Sequence, residues 1–301
     1  MGVAACKELM RRRVETIAAG RKERPFGIFT SYIAFDCTDE EQLRRALSEA
    51  KPDVVLDLAN DYPAGIESII RNFNGQRYVF VSSGVYPNLN GVPAREEDFV
   101  PLAGEPPDEI GYMDGKRWCE TMLARSTDFP WTVIRPPAVF GPGDHTLRIA
   151  AYIQRVADGG PLLVPAESYE RQAGLAWVKD VGYMCALACD LRKDTTRKAY
   201  NVSFEGVSLR DLIEGIAQAL GVPARMHPIP FAQLPPEASP YGPDPRRPAG
   251  YVLDRSRSDL GFEPSRLEDA LAETLAWYRV AHPSHPGYAN RAQEMALAAG
   301  V

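Results

Sequence analysis

Long apolar runs are missing from this chain of 301 residues. None approaches the roughly 20 residues that a membrane-spanning helix needs, and the N-terminus lacks a signal-peptide pattern. Basic runs are scarce too. Arg11-Arg12-Arg13 is the longest and the net charge is −6, so no nucleic-acid partner is expected and the arginines read as the solvated end of a helix. Metal-ligating residues are thin. The five cysteines (Cys6, Cys37, Cys119, Cys185, Cys189) are odd in number and have no paired histidines. Cys185 and Cys189 stand one helical turn apart without a His or carboxylate cluster. Free thiols in a reducing cytoplasm are therefore expected, with no metal site. What remains, 45% hydrophobic and 25% charged, is the composition of a soluble globular protein of one large domain or two ordinary ones.

The first half alternates helix-like and strand-like segments. Val3, Cys6, Leu9 and Met10 lie on one face of a helix running to about Arg12. Val14 to Ala19 reads as a strand closed by Gly20-Arg21-Lys22, and Tyr32 to Asp36 as a second. Thr38-Asp39-Glu40-Glu41 has the capping chemistry of a helix start. Asp53–Ala59, Arg77–Ser82 and Trp131–Arg135 are further strands, the last stopped by Pro136-Pro137. Val/Ile-rich strands alternating with helices predict a parallel sheet covered on both faces, a doubly wound α/β fold. After Gly141 proline becomes frequent, a helix stands out from Leu209 to Leu220, and a Pro-rich loop follows from Pro228 to Pro248. This half reads as a smaller α+β domain, with the segment from Ala176 to Cys189 returning to the first. The expected division is 1–145 with 176–203 for the sheet domain, and 146–175 with 204–301 for the cap.

The pair with the clearest chemistry is Tyr112 and Lys116, one turn apart on the same face of a helix, downstream of a strand ending in Ser82-Ser83. An ammonium beside a phenol favours the phenolate, so this spacing predicts a tyrosine pKa pulled down from about 10 and a proton-transfer catalyst.

Around that pair, Val79-Phe80-Val81-Ser82-Ser83-Gly84-Val85-Tyr86, Arg135-Pro136-Pro137-Ala138-Val139-Phe140-Gly141-Pro142-Gly143, Trp177-Val178-Lys179-Asp180-Val181, Ala199-Tyr200-Asn201-Val202 and Leu260-Gly261-Phe262-Glu263-Pro264 occur in order. Together they resemble the extended short-chain dehydrogenase/reductases of the NAD(P)-dependent epimerase/dehydratase group over nearly the whole chain. The resemblance implies a Rossmann-like fold with Tyr112 as general base or acid and Lys116 on the nicotinamide ribose. Ser83, or its neighbour Ser82, would bond the reacting oxygen. Asp36 would meet adenine. Gly2, Ala59, Asn60, Ser82, Arg135 and Pro136 would line the cofactor groove, and Arg171 would meet a substrate diphosphate. Arg148 and His145 could line the same mouth, while Arg246 and Arg247 read as an exposed pair. After the second strand stands Arg21 where an acid would bond a ribose 2′-OH, so the cofactor reading leans to NADP over NAD.

One family element is absent. The first strand and its G-x-x-G-x-x-G turn are missing, Met1-Gly2-Val3 aligning with the last glycine and the start of the helix. Losing a central strand unpairs backbone groups at about 1–3 kcal/mol each if buried. Either the natural start lies upstream of Met1, or the sheet is rearranged and cofactor binding weakened. Gly84 and Val85 stand where nucleotide-sugar dehydratases carry an acidic pair, which disfavours dehydration. The expected activity is epimerisation or carbonyl reduction of a small molecule such as a nucleotide sugar. A non-catalytic alternative remains: an NADP-sensing, RNA-binding or scaffold relative, among them the chloroplast stem-loop RNA-binding proteins, whose Ser-Ser-x-Gly-Val-Tyr segment this chain resembles. Relatives often form homodimers through two helices flanking the sheet, one of which carries the catalytic tyrosine.

Overall fold

Local chemistry sets the elements of the first half in a computed structural model that describes residues 1–21 and 27–300. Lys22, at the end of the basic turn, lies outside the described residues. Helix α1 (Gly2–Arg11) buries Ala5 and Leu9. Strands β1 (Ile17–Gly20) and β2 (Ser31–Ala34) follow, β1 starting three residues later than the hydrophobic pattern predicts. Helix α2 (Glu40–Ala50) begins at Asp39, whose carboxylate accepts the Glu41 and Gln42 amides, and its acidic first turn complements the helix dipole. Then come β3 (Val54–Asp57), α3 (Pro63–Asn72), β4 (Arg77–Val81), α4 (Tyr112–Arg125), β5 (Trp131–Arg135) and β6 (Ala138–Phe140). The second half comprises α5 (Arg148–Ala157), β7 (Leu162–Pro165), β8 (Leu175–Trp177), α6 (Val178–Ala188), β9 (Lys198–Asn201) and α7 (Leu209–Leu220). It closes with β10 (Met226–Ile229), α8 (Asp254–Leu260), α9 (Leu267–Ala281) and α10 (Arg291–Ala299). Pro228, expected to open the loop, instead sits in β10, which among the described residues pairs only with β7 and so leaves an edge that tolerates proline.

The main sheet runs β3-β4-β5-β9, all neighbours parallel. Its two faces are covered by different helices. Val79 and Val81 of β4 pack with Ala5 of α1 and with Val181 and Met184 of α6, while Tyr78 and Phe80 pack with Ile66, Ile69, Cys119 and Leu123 of α3 and α4. This is the period-2 alternation of a strand buried on both sides, and it makes the fold doubly wound. Gly182 lets α6 press against α1, because a Cβ there would stand 2.6 Å from the Ala4 carbonyl carbon. A separate core unites β6, β7, β8, α5, α7 and α9, with Phe140, Leu175 and Trp177 in it, whereas Leu253, Leu260 and Phe262 join the sheet core.

The parallel arrangement has one departure from a continuous sheet. Among the described residues, strands β1 and β2 pair only with each other, and β3 and β9 are the two edges of the main sheet. The β1–β2 pair and the main sheet are therefore separate among the described residues. Exposure follows: β3 is partly buried at every position, whereas β4 is buried at every position. An open edge presents unpaired N–H and C=O groups. Among the described residues, no helix is long and apolar enough to cross a membrane.

Candidate active site

Strand β4 ends at Val81 and delivers Ser82 and Ser83 to the carboxyl edge of the sheet, beside the first turn of α4. Gly115 lets that turn come close, since a Cβ there would lie 2.1 Å from the Asp61 carbonyl oxygen. Tyr112 is the first residue of α4 and is 54% exposed. Lys116, one turn on, is 3% exposed. Its Nζ donates to the Asn60 carbonyl at 2.6 Å and to the Val81 carbonyl at 2.9 Å, just past the ends of β3 and β4. It also lies 4.6 Å from the Phe80 ring centre and 5.9 Å from that of Tyr112. Burial lowers the lysine pKa, and the charge of Asp57 works against that shift.

This anchoring corrects the expectation for the phenol. Tyr112 has its pKa raised, chiefly by burial. The Ser83 hydroxyl pulls it down, Asp61 pushes it up, and the Arg148 charge pulls it down. The Lys116 ammonium, held on two carbonyls at the sheet edge, does not reverse that shift. The resting phenol therefore keeps its proton. Of the two serines, Ser83 is the one beside Tyr112. Ser82 is buried, its amide donates to the Ile134 carbonyl at 2.8 Å, and its hydroxyl has no partner among the described residues.

The residues expected to hold a dinucleotide fall into two groups. Gly2 opens α1 with free space around its Cα. Arg21 is exposed just past β1, and Asp36 lies past the neighbouring β2, its pKa lowered chiefly by the Thr38 amide and hydroxyl and to a lesser degree by the Arg21 charge. Asp36 accepts the Thr38 amide at 3.0 Å and hydroxyl at 2.8 Å, and the helix cap is Asp39 rather than Asp36. Ala59 is exposed and its amide donates to Asp57 Oδ1 at 2.8 Å. Asn60 is buried and donates its side-chain amide to Asp57 Oδ2 at 2.5 Å. Arg21, Asp36, Ala59 and Asn60 lie past the carboxyl ends of parallel strands, where open α/β sheets bind ligands, and Gly2 lies at the start of α1.

Arg135 belongs elsewhere, which corrects its assignment to the cofactor groove. It is 3% exposed, paired with Glu120 at 2.6 Å, and it donates to Tyr86 Oη at 3.1 Å and to the Glu96 carbonyl at 2.9 Å. Its guanidinium carbon also lies 5.1 Å from the Tyr86 ring centre and 4.6 Å from that of Phe99. Pro136 is buried behind it. Arg171 is exposed and lies over the Gly91 turn, away from any ion pair among the described residues. Arg148 opens α5 with its guanidinium 5.8 Å from the Tyr241 ring, His145 is exposed, and Arg246 is tied to Asp244 at 2.6 Å.

A nicotinamide dinucleotide fits the end of this site that carries chemistry. A phenol, a serine hydroxyl and an ammonium with one donor uncommitted converge at the strand ends. No glycine-rich turn for the pyrophosphate is present in the 301 residues. Two residues escaped the sequence reading. Asp57 gathers Ala59, Asn60 and the Tyr78 hydroxyl (2.7 Å) into one network beneath Lys116, and an acid closing the run Val-Val-Leu was its signal. Glu120, the partner of Arg135, gave none.

The sequence profile of the NAD dependent epimerase/dehydratase family matches residues 1–203. The chain is 28% identical over 210 residues to the chloroplast stem-loop binding protein of 41 kDa b from Arabidopsis thaliana, an alignment covering 68% of this chain and 53% of that protein. It thus spans about half the length of this curated relative. Among solved structures, UDP-glucose 4-epimerase from Thermotoga maritima, determined with UDP-glucose, superposes with a TM-score of 0.69 at 19% identity, covering 94% of this chain and 96% of that one. UDP-glucose 4-epimerase from Thermus thermophilus, in complex with NAD, gives 0.68 at 20% identity, covering 92% and 95%. At these identities the likeness is one of fold, and together with the family match it places the chain in the NAD dependent epimerase/dehydratase family.

Proposed function

We propose that this chain is an NAD(P)-dependent epimerase or ketoreductase acting on a nucleotide sugar or a related polar metabolite. The observation that carries the reading is the convergence of Tyr112, Ser83 and Lys116 at the carboxyl ends of β3 and β4. A bound nicotinamide supplies the hydride acceptor and donor. Tyr112 moves the proton at the substrate oxygen, giving it up when a carbonyl is reduced and taking it when a hydroxyl is oxidised. Ser83 bonds the same oxygen and holds it against the phenol. Lys116, fixed by two carbonyls, offers its remaining N–H to a ribose hydroxyl. The side chains of Gly84 and Val85 hold no proton, so this site favours hydride and proton exchange over elimination of water. Arg21, where an acid would serve a ribose 2′-OH, inclines the cofactor choice to NADP, and Arg171 is the candidate contact for a substrate phosphate.

A second reading has its own support. The curated relative is named for stem-loop binding, and the sheet is divided beside the groove where a dinucleotide would lie. In that reading the chain senses NADP, binds RNA or serves as a scaffold without turnover. NADPH and NADH fluorescence on mixing with the protein, followed by conversion of UDP-glucose to UDP-galactose, separates the two. The enzyme reading expects dinucleotide binding, and turnover that disappears in Tyr112→Phe. Dinucleotide binding without turnover favours the sensing form of the second reading, and absence of dinucleotide binding favours its RNA-binding or scaffold form.

A further inference from the structure

Tyr251 lies outside every motif discussed above. It belongs to the small cluster with Tyr86 and Ala94, its ring centre 5.5 Å from that of Tyr86. Its backbone is pinned on both sides: the Ala94 amide donates to the Gly250 carbonyl at 3.1 Å and the Val252 amide to the Ala94 carbonyl at 2.9 Å. The side chain is thereby aimed at Gly84, the residue after Ser83. A Cβ at Gly84 would stand 2.1 Å from the Tyr251 hydroxyl oxygen and 3.2 Å from Cζ. Residue 84 has no side chain, and the phenol of Tyr251 occupies that volume.

Tyr251 is 7% exposed; among the described residues its hydroxyl makes no hydrogen bond, and its oxygen is not one of the fully enclosed unpartnered atoms, so the hydroxyl opens towards solvent. A phenylalanine would fill the same space without offering a donor there. Burial pushes the phenol up to about 12, with the charges of Arg247 and then Arg135 working against it, so it is a hydrogen-bond donor across the neutral range. Arg247 is exposed and joins no ion pair among the described residues, leaving a cation near the donor.

We propose that Tyr251 is a substrate-binding residue whose hydroxyl donates to a hydroxyl of the sugar ring of a nucleoside diphosphate sugar, one residue along the chain from the Ser83–Tyr112 centre. The assignment rests on the function proposed above. Gly84 is then a glycine because the substrate contact at that position comes from the cap side of the chain, and any larger residue displaces it.

Calorimetric titration of UDP and of UDP-glucose into the full chain saturated with NAD tests this, because the sugar is the only difference between the two ligands. In Tyr251→Phe, UDP-glucose should bind about tenfold more weakly, the loss of one hydrogen bond, while the affinities for UDP and NAD and the Tm stay unchanged. Gly84→Ala should give the same selective loss and add nothing in the Tyr251→Phe background. A merely packing tyrosine would change neither affinity, or would change both together with Tm. Equal UDP-glucose affinity in wild type and Tyr251→Phe overturns the inference and leaves the dinucleotide reading intact. So does wild-type protein that binds NAD but no UDP-glucose. Wild-type protein that binds no dinucleotide overturns the functional reading, and the inference falls with it.

Discussion

Removing the Glu120 carboxylate should loosen the helix that carries the chemistry. Glu120 lies one turn beyond Lys116 on α4 and is 3% exposed. It accepts from Arg135 Nε at 2.9 Å and from a terminal nitrogen at 2.6 Å, so it ties α4 to the end of β5. Glu120→Leu leaves the Arg135 charge buried with only Tyr86 Oη and the Glu96 carbonyl as acceptors. Breaking one side of a buried pair costs about 3–5 kcal/mol. At about 2 °C per kcal/mol for a chain of this size, Tm should fall by roughly 6–10 °C. Because Lys116 sits on the same helix, cofactor and substrate affinities should weaken with it. Glu120→Leu combined with Arg135→Met removes both charges, and it should recover about half of the loss while still orphaning the Tyr86 and Glu96 acceptors. Differential scanning calorimetry of the two variants decides the matter. A single variant that melts within about 1 °C of wild type, or a double variant no better than the single, refutes the claim that an uncompensated buried charge is what matters.

Other outcomes follow from the same geometry. Tyr112→Phe should lower turnover by about a hundredfold or more while leaving Tm within a degree or so, because the side chain is 54% exposed and removes only the proton carrier. Since burial raises the Tyr112 pKa, carbonyl reduction, in which it is the donor, should stay flat through neutral pH, and hydroxyl oxidation, in which it is the base, should speed up as pH rises. A pH–rate profile in each direction checks this, and a reduction rate that falls between pH 6 and 8 counts against it. Arg155 is fully buried and bonded to Glu294 of α10, so Glu294→Leu should release that helix; limited proteolysis should then cut near residues 282–300. Arg11 and Arg12 hold the Glu8 carboxyl down at about 2. A folded pKa below the unfolded value of about 4 means stability that is present above that value and lost as pH falls towards 2. Glu8→Gln should flatten that acid limb in Tm measured against pH.

How far this site could be read from sequence depends on how local each cause is. The strands were legible because strands buried on both faces read as unbroken Val/Ile runs, and Trp131–Arg135 is found without a residue's error. The strand ends were less so, since Phe35 and Leu58-Ala59 carry apolar side chains on after the pairing has stopped. The Tyr112–Lys116 spacing correctly puts both residues on one helix face, but spacing does not say where an ammonium points. The carbonyls of Asn60 and Val81 come from two other elements, and they decide that Lys116 anchors the strand ends instead of ionising the phenol. Arg135 was misassigned for the same reason, its partners being scattered over Glu120, Tyr86 and Glu96. The chemical consequence is specific. A phenol that burial keeps protonated, with a serine beside it, suits the donor role that the proposed carbonyl reduction asks of Tyr112.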